Sequence, residues 1–308
     1  MTKVLISDRT HPVLEERLRQ AGFSVSVEPN HDYESLVRAA QGFDGLVVRS
    51  KVIIDRGFID ACPSLRCIGR VGAGMETIDV EYAESKGIKC LNSPEGNRDA
   101  VGEHTVGLLL ALLNNIARAD AEVRQGLWHR EANRGRELQS LTVGIIGFGN
   151  MGQAFAKRLQ GFGCKIIVYD KYKDLKDFKD IIALNDLVEL QREADVVSFH
   201  VPLTEETRHY LDATFIDSMA KPFYLVNTSR GAVVDTEALV ASLENGKVLG
   251  AALDVLEDED MTKDTLNTQH STLNTYNVVF TPHVAGWTVE SKYKLAAVLA
   301  DKIIDTLK

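Results

Sequence analysis

Apolar residues fall in short runs separated by longer amphipathic stretches, the pattern of strands alternating with helices and feeding a parallel sheet. The N-terminal part predicts strands over 4–7, 23–27, 45–48, 66–69 and 88–91. A helix is predicted over 11–21, with Val13, Leu14 and Leu18 on one face and Gly22 as its stop. From Asp99 the spacing changes. Val101, Thr105, Leu108, Leu109 and Leu112 share one side, which predicts a single long buried helix continuing to Gly126. The polar stretch 128–137 then separates it from six further strands, over 142–146, 165–169, 195–200, 224–227, 248–253 and 278–281. Six strands with helices between them predict a doubly wound domain. The last helix, over 289–307, has no strand after it and is expected to return to the first domain. Residues 257–277, rich in Asp, Thr and Asn, read as a loop.

Length and charge narrow the classes. A chain of 308 residues predicts about two domains. The net charge of −9 excludes a phosphate-neutralising surface, so no nucleic-acid partner is expected. The N-terminus runs directly into a strand and is not read as a signal peptide. The longest apolar run, 106–113, is far short of the about 20 residues a bilayer needs, so no membrane association is expected. Cys62, Cys67, Cys90 and Cys164 form no C-x-x-C pair and no zinc-ligand spacing with histidine. Reduced thiols, a cytoplasmic location and no metal are the expectation.

The first chemical signal is Gly147-Phe-Gly149-Asn150-Met151-Gly152, a G-x-G-x-x-G between a predicted strand and a predicted helix over 153–159. Gly147 permits the turn, Gly149 lets a pyrophosphate approach the backbone, and Gly152 lets helix and strand pack closely. Asp170, at the end of the next predicted strand, is suited to accept hydrogen bonds from both ribose hydroxyls and to repel a 2′-phosphate. NAD is therefore expected over NADP, with Lys171 next door as a discordant charge.

Three further segments end later strands: Val226-Asn-Thr-Ser-Arg230-Gly231, Asp254 through Glu259, and Thr281-Pro-His283. With Arg70-Val-Gly-Ala-Gly74, Asn97 and Glu103-His104, they make the chain closely resemble the D-isomer-specific 2-hydroxyacid dehydrogenases over almost its whole length. The resemblance implies two Rossmann-like doubly wound parallel-sheet α/β domains with the active site in the cleft between them. Residues 1–96 with 287–308 would form the substrate-binding lid, and 97–286 the NAD domain with a dimerisation helix. It implies a catalytic set of Arg230, Glu259 and His283, with Arg230 on the substrate carboxylate and His283 as general base. Proton transfer of that kind contributes about 10²- to 10⁴-fold. Glu259 would orient the imidazole. The family usually has proline after this glutamate, whereas Asp260 follows here in a Thr/Asn-rich loop. Glu257 competes for the role, although the spacing from Asp254 favours Glu259.

The same resemblance implies cofactor contacts from Ala73, Gly147, Gly149, Asn150, Met151, Gly152, Asp170, His200, Val201, Pro202, Thr228, Ser229, Arg230, Asp254, His283 and Gly286. Substrate contacts would come from Arg49, Ser50, Val71, Gly72, Ala73, Gly74, Asn97 and Arg230. Arg49-Ser50 after a strand is similar to D-3-phosphoglycerate dehydrogenases, in which an arginine there meets the phosphate. Arg130, Arg134 and Arg136 form a second basic cluster. The expected activity is NAD-dependent oxidation of a small anionic 2-hydroxy acid, D-3-phosphoglycerate to 3-phosphohydroxypyruvate, by a cytoplasmic homodimer on the route to serine. Glyoxylate, hydroxypyruvate or D-lactate chemistry is the alternative within the family, and an NAD-sensing binding protein without turnover the alternative outside it. Pro282, where formate dehydrogenases have glutamine, argues against that branch. A chain ending at Lys308 leads to the expectation that the serine-binding domain of longer relatives, and serine feedback through it, are missing.

Overall fold

The computed structural model describes residues 1–257 and 277–308. Glu259 and most of the expected loop therefore lie outside the described residues. The chain divides into two units, Met1–Arg98 with Trp287–Lys308, and Asp99–Gly286. In the first unit, β1 (Lys3–Ile6), β2 (Ser24–Val27), β3 (Gly45–Val48), β4 (Cys67–Arg70) and β5 (Lys89–Leu91) pair in parallel in the order β2-β1-β3-β4-β5. β3 is buried throughout, as the run of Leu and Val requires when helices cover both faces. On one face α1 (Val13–Gln20) and the terminal helix α11 (Val289–Leu307) bring Leu14, Leu18, Leu299 and Ile303 against Val4 and Ile6. On the other, α2 (Tyr33–Ala40), α3 (Arg56–Ala61) and α4 (Val80–Ser85) pack Leu36, Phe58 and Ala83 against Leu5, Leu46 and Ile68.

The second unit is a seven-stranded parallel sheet. β6 (Thr142–Ile146), β7 (Lys165–Tyr169), β8 (Ile182–Leu184), β9 (Val196–Phe199), β10 (Phe223–Asn227), β11 (Val248–Leu253) and β12 (Val278–Phe280) lie in the order β12-β11-β10-β9-β6-β7-β8. Helices α5 (Arg98–Leu113) and α7 (Asn150–Leu159) supply Leu108, Leu109, Leu112, Phe155 and Leu159 to one face. α8 (Leu187–Glu193), α9 (Ala213–Ser218) and α10 (Thr236–Glu244) supply Leu190, Phe215 and Leu239 to the other. Strand order reverses between β6 and β9 here, and between β1 and β3 in the first unit. An open parallel sheet leaves a crevice at such a reversal, beyond the carboxyl ends of its strands.

Three elements differ from the sequence reading. The long helix expected from Asp99 to Gly126 is two helices, α5 and α6 (Ile116–Arg124), bent by 61°. Asn115 sits at the break in left-handed backbone, φ 53°, a conformation asparagine tolerates better than most residues. α7 begins at Asn150, so half of the glycine motif is helical. β8 adds an edge strand at the short apolar run Ile181 to Leu184, which the sequence reading passed over, and its Ile182 and Ala183 are exposed. Asp32, Asp55, Asp79, Asp186, Asp212 and Asp235 each accept a backbone N–H as helix caps. Part of the acidic surplus is therefore local folding chemistry. Among the described residues no single helix is long and apolar enough to cross a membrane.

Candidate active site

In the second unit β6 runs into Gly147, whose φ of 89° strongly disfavours a side chain. A Cβ there would also meet the His200 carbonyl at 2.6 Å, and one on Gly152 would lie 2.2 Å from the Gly147 carbonyl. At Gly149, by contrast, a Cβ would meet nothing within 4 Å. Gly149 caps α7 without a side-chain hydrogen bond, so the helix N-terminus keeps its donors beside open space. Asp170, just beyond β7, accepts Phe148 N–H at 2.7 Å on one carboxylate oxygen and Tyr172 and Lys173 N–H at 3.0 Å on the other. The acidic end of the β7 turn is thereby tied to the glycine loop. These residues fit a dinucleotide, with pyrophosphate at the start of α7 and a ribose at Asp170.

His200, at the end of β9, turns its side chain inward. Its Nε2 lies 2.9 Å from Ser198 Oγ, its ring is 5.3 Å from Phe155, and burial pushes its imidazole down to about 3. Only its backbone faces the glycine turn. Val201 follows, also within reach of that turn, and the Pro202 carbonyl accepts Thr207 Oγ at 2.6 Å.

The turn after β10 is built by Asn227. Its Oδ1 accepts Ser229 N–H and Oγ–H at 3.0 and 2.7 Å, and its Nδ2 donates to the Arg230 carbonyl at 2.9 Å. Arg230 Nη1 donates to the Ser229 carbonyl at 2.7 Å. Thr228 Oγ lies 3.0 Å from Thr105 Oγ of α5. Asp254, after β11, is 1% exposed. Its carboxylate accepts Thr281 Oγ–H at 2.5 Å and the Val284 and Ala285 N–H groups at 2.9 Å, while its carbonyl accepts His283 N–H at 2.7 Å. These bonds hold His283 exposed and in left-handed backbone, φ 53°. Thr281 Oγ also lies 2.9 Å from His104 Nε2 of α5. Glu257 bonds His209 at 2.5 Å and Thr236 Oγ at 2.7 Å. Burial raises the Glu257 carboxyl, and the bonds from Thr236 and His209 outweigh it, so it sits below its ordinary value.

In the first unit the predicted substrate residues gather beyond β3, β4 and β5. Arg49 N–H donates to Asp8 at 2.9 Å, at the reversal between β1 and β3, and its guanidinium lies 5.6 Å from the Trp287 ring centre. Ser50 is exposed beside it. The turn of Val71, Gly72, Ala73 and Gly74 wraps the Arg70 guanidinium, which donates to the Gly74 carbonyl at 2.7 Å. Asn92 Nδ2 fixes the Ala73 carbonyl at 2.6 Å, and Ser93 N–H the Gly72 carbonyl at 2.9 Å. Asn97 Oδ1 is enclosed and has no hydrogen-bond partner among the described residues.

Residues 106–285 match the family model described as D-isomer specific 2-hydroxyacid dehydrogenase, NAD binding domain. The chain belongs to the D-isomer specific 2-hydroxyacid dehydrogenases. It is an NAD-dependent oxidoreductase acting on 2-hydroxy acids. It is 40% identical to a hydroxypyruvate reductase of Thermotoga maritima over 89% of this chain and 88% of that protein. It is 37% identical to a D-3-phosphoglycerate dehydrogenase of Methanocaldococcus jannaschii, over all of this chain and 58% of that longer protein. A D-lactate dehydrogenase structure from Aquifex aeolicus, complexed with NAD and lactic acid, superposes with a TM-score of 0.82 at 28% identity, covering 99% of this chain and 94% of that one.

For this dehydrogenase, sequence reasoning missed the props. Thr105, His104 and Asn227 hold the Thr228 to Arg230 and Thr281 to His283 turns, and the first two act across more than a hundred residues of sequence. No spacing rule reaches that far. Asn227 alone had a local signal, as a strand-end asparagine suited to bonding the backbone two residues on.

Proposed function

We propose that the enzyme oxidises D-3-phosphoglycerate to 3-phosphohydroxypyruvate, the step that commits carbon to serine. The observation that carries this reading is Arg49, a cation at the strand-order reversal of the first sheet in a chain of net charge −9. Its guanidinium would receive the phosphate, for which its forked donors are suited. Bound NAD supplies the hydride acceptor. His283 takes the hydroxyl proton, Arg230 binds the carboxylate and polarises the oxygen on C2, and the amides of Val71 to Gly74 orient the same carboxylate. Asp254 positions His283 through the turn it holds. Glu259, outside the described residues, would stabilise the imidazolium. A second reading, hydroxypyruvate reduction, is favoured by the near full-length match to the Thermotoga maritima reductase.

An initial-rate panel with phosphoglycerate, glycerate, lactate and their oxo acids separates the two. Arg49→Ala should raise KM for phosphoglycerate about ten- to a hundredfold, the loss of a charge-assisted hydrogen bond, and leave glycerate within about twofold. His283→Ala should abolish turnover on every substrate while NAD still binds. An unchanged phosphoglycerate KM in Arg49→Ala, with hydroxypyruvate the better substrate, selects the reductase. The proposal includes a cytoplasmic homodimer. α6 buries no residue, and Ile116, Val123, Leu127 and Trp128 present apolar surface on and just after it. Light scattering should give twice the chain mass, and Trp128→Glu should lower it.

A further inference from the structure

NAD and NADP differ by one phosphate on the adenosine ribose, so selectivity between them is decided around Asp170. Its carboxylate opposes a 2′-phosphate, as the sequence already suggests. Two lysines follow it, however, and an ammonium there would reverse the preference. The structure occupies both. Lys173 Nζ turns back beneath the glycine loop, donating to the Phe148 carbonyl at 3.1 Å and lying 4.9 Å from the Phe178 ring centre. Lys171 Nζ pairs with one carboxylate oxygen of Glu206, and the Tyr172 hydroxyl donates to the other.

Glu206 reaches these partners from a built loop. After β9 the chain passes His200, Val201 and Pro202 into a reciprocal clasp. Thr204 N–H donates to Thr207 Oγ at 2.8 Å, and Thr207 N–H to Thr204 Oγ at 3.2 Å. Thr207 Oγ–H then ties the clasp to the Pro202 carbonyl. Glu206 lies inside that clasp. Its carboxyl is held below, and the Lys171 ammonium above, their ordinary values by the bond between them.

We propose that Glu206 enforces NAD selectivity: it withholds Lys171 and the Tyr172 hydroxyl, the two groups best placed to receive a 2′-phosphate, and adds a second carboxylate beside Asp170. Glu206 is a positioning residue in this scheme, acting through Lys171, and has no required contact with NAD. The effect is electrostatic at a solvent-exposed site, so it should be moderate and screened by salt. A phosphate carrying close to two charges loses one repulsive partner and gains one attractive one when Glu206 is neutralised. A change of roughly ten- to a hundredfold follows from charges about 6 Å apart in a near-aqueous medium.

The test uses the full chain and two adenine-side fragments, adenosine 2′,5′-bisphosphate and ADP, with binding read by calorimetry. In Glu206→Gln, the bisphosphate should bind about tenfold or more tighter than to wild type. ADP should stay within about twofold, and the gain should largely vanish at about 0.5 M salt. NADP should gain against NAD in kcat/KM by the same factor. Adding Lys171→Met to Glu206→Gln should cancel most of the gain, which a general loosening of the loop would not explain. Equal gains for both fragments, no gain, or a gain that survives loss of Lys171 would each overturn the proposal. ADP binding to wild type reports separately that the nucleotide site itself is intact.

Discussion

His200 and His283 both follow strands of the second sheet, and burial sets them apart. His283 stands exposed on a turn held by Asp254. His200 is enclosed against Phe155 and Ser198, and burial lowers it to about 3, so it stays neutral wherever the enzyme is folded. That has a cost in acid. Below about pH 6.5 the unfolded chain binds a proton at His200 that the native state refuses until about pH 3. Stability conferred by this site is therefore fully present above pH 6.5 and falls as pH drops from there toward 3, by at most about 1.4 kcal/mol per unit. His200→Gln, which cannot titrate, should be less stable than wild type at pH 7 and lose that deficit steadily between about pH 6 and 4.5. Urea unfolding of both proteins across that range reads the difference. A deficit independent of pH would mean that His200 is not kept neutral by burial.

Legibility in the sequence followed the range of the interaction at the level of elements. The turn from β6 through Gly147 to α7 is local, and its spacing to Asp170 is set by one strand-helix-strand unit, so that unit could be read directly. α11 was also expected, over 289–307, and the structure begins it with a capping box of Thr288 and Ser291. The break at Asn115 was not. Apolar spacing continues across it, and what changes is burial, with Leu112 and Leu113 enclosed and Ile116 exposed. β8 escaped although Ile181 to Leu184 form an apolar run, because so short a run between Asp180 and Asn185 does not by itself specify a strand. Arg49 was found as a residue, whereas its place at the β1 and β3 reversal and its stacking on Trp287 are products of tertiary structure. Glu206 had no signal at all: its meaning depends on a loop more than thirty residues from Lys171.

At the scale of the whole molecule, the first unit is closed by chain that arrives last. Its sheet is complete by Leu91, yet the face that α1 begins to cover is finished only when α11 supplies Leu299, Ala300 and Ile303, more than two hundred residues later. The fit is close: a Cβ on Gly69 would lie 3.1 Å from Ile303 and 3.2 Å from Leu299, and one on Gly96 only 2.5 Å from the Leu295 nitrogen. The second unit, by contrast, is continuous in sequence and carries both the glycine loop and Asp170. A defect in α11 should therefore be felt in one unit and cofactor binding in the other. Leu299→Ala removes a fully buried side chain and should cost the first unit about 2 to 5 kcal/mol. NAD at about 100 times its dissociation constant should stabilise the second by about 2.7 kcal/mol. Scanning calorimetry of the variant, with and without NAD, should show the weakened transition unmoved by the cofactor and a separate one raised by it. If both perturbations shift a single transition together, the two units unfold as one and α11 guards the nucleotide site as well.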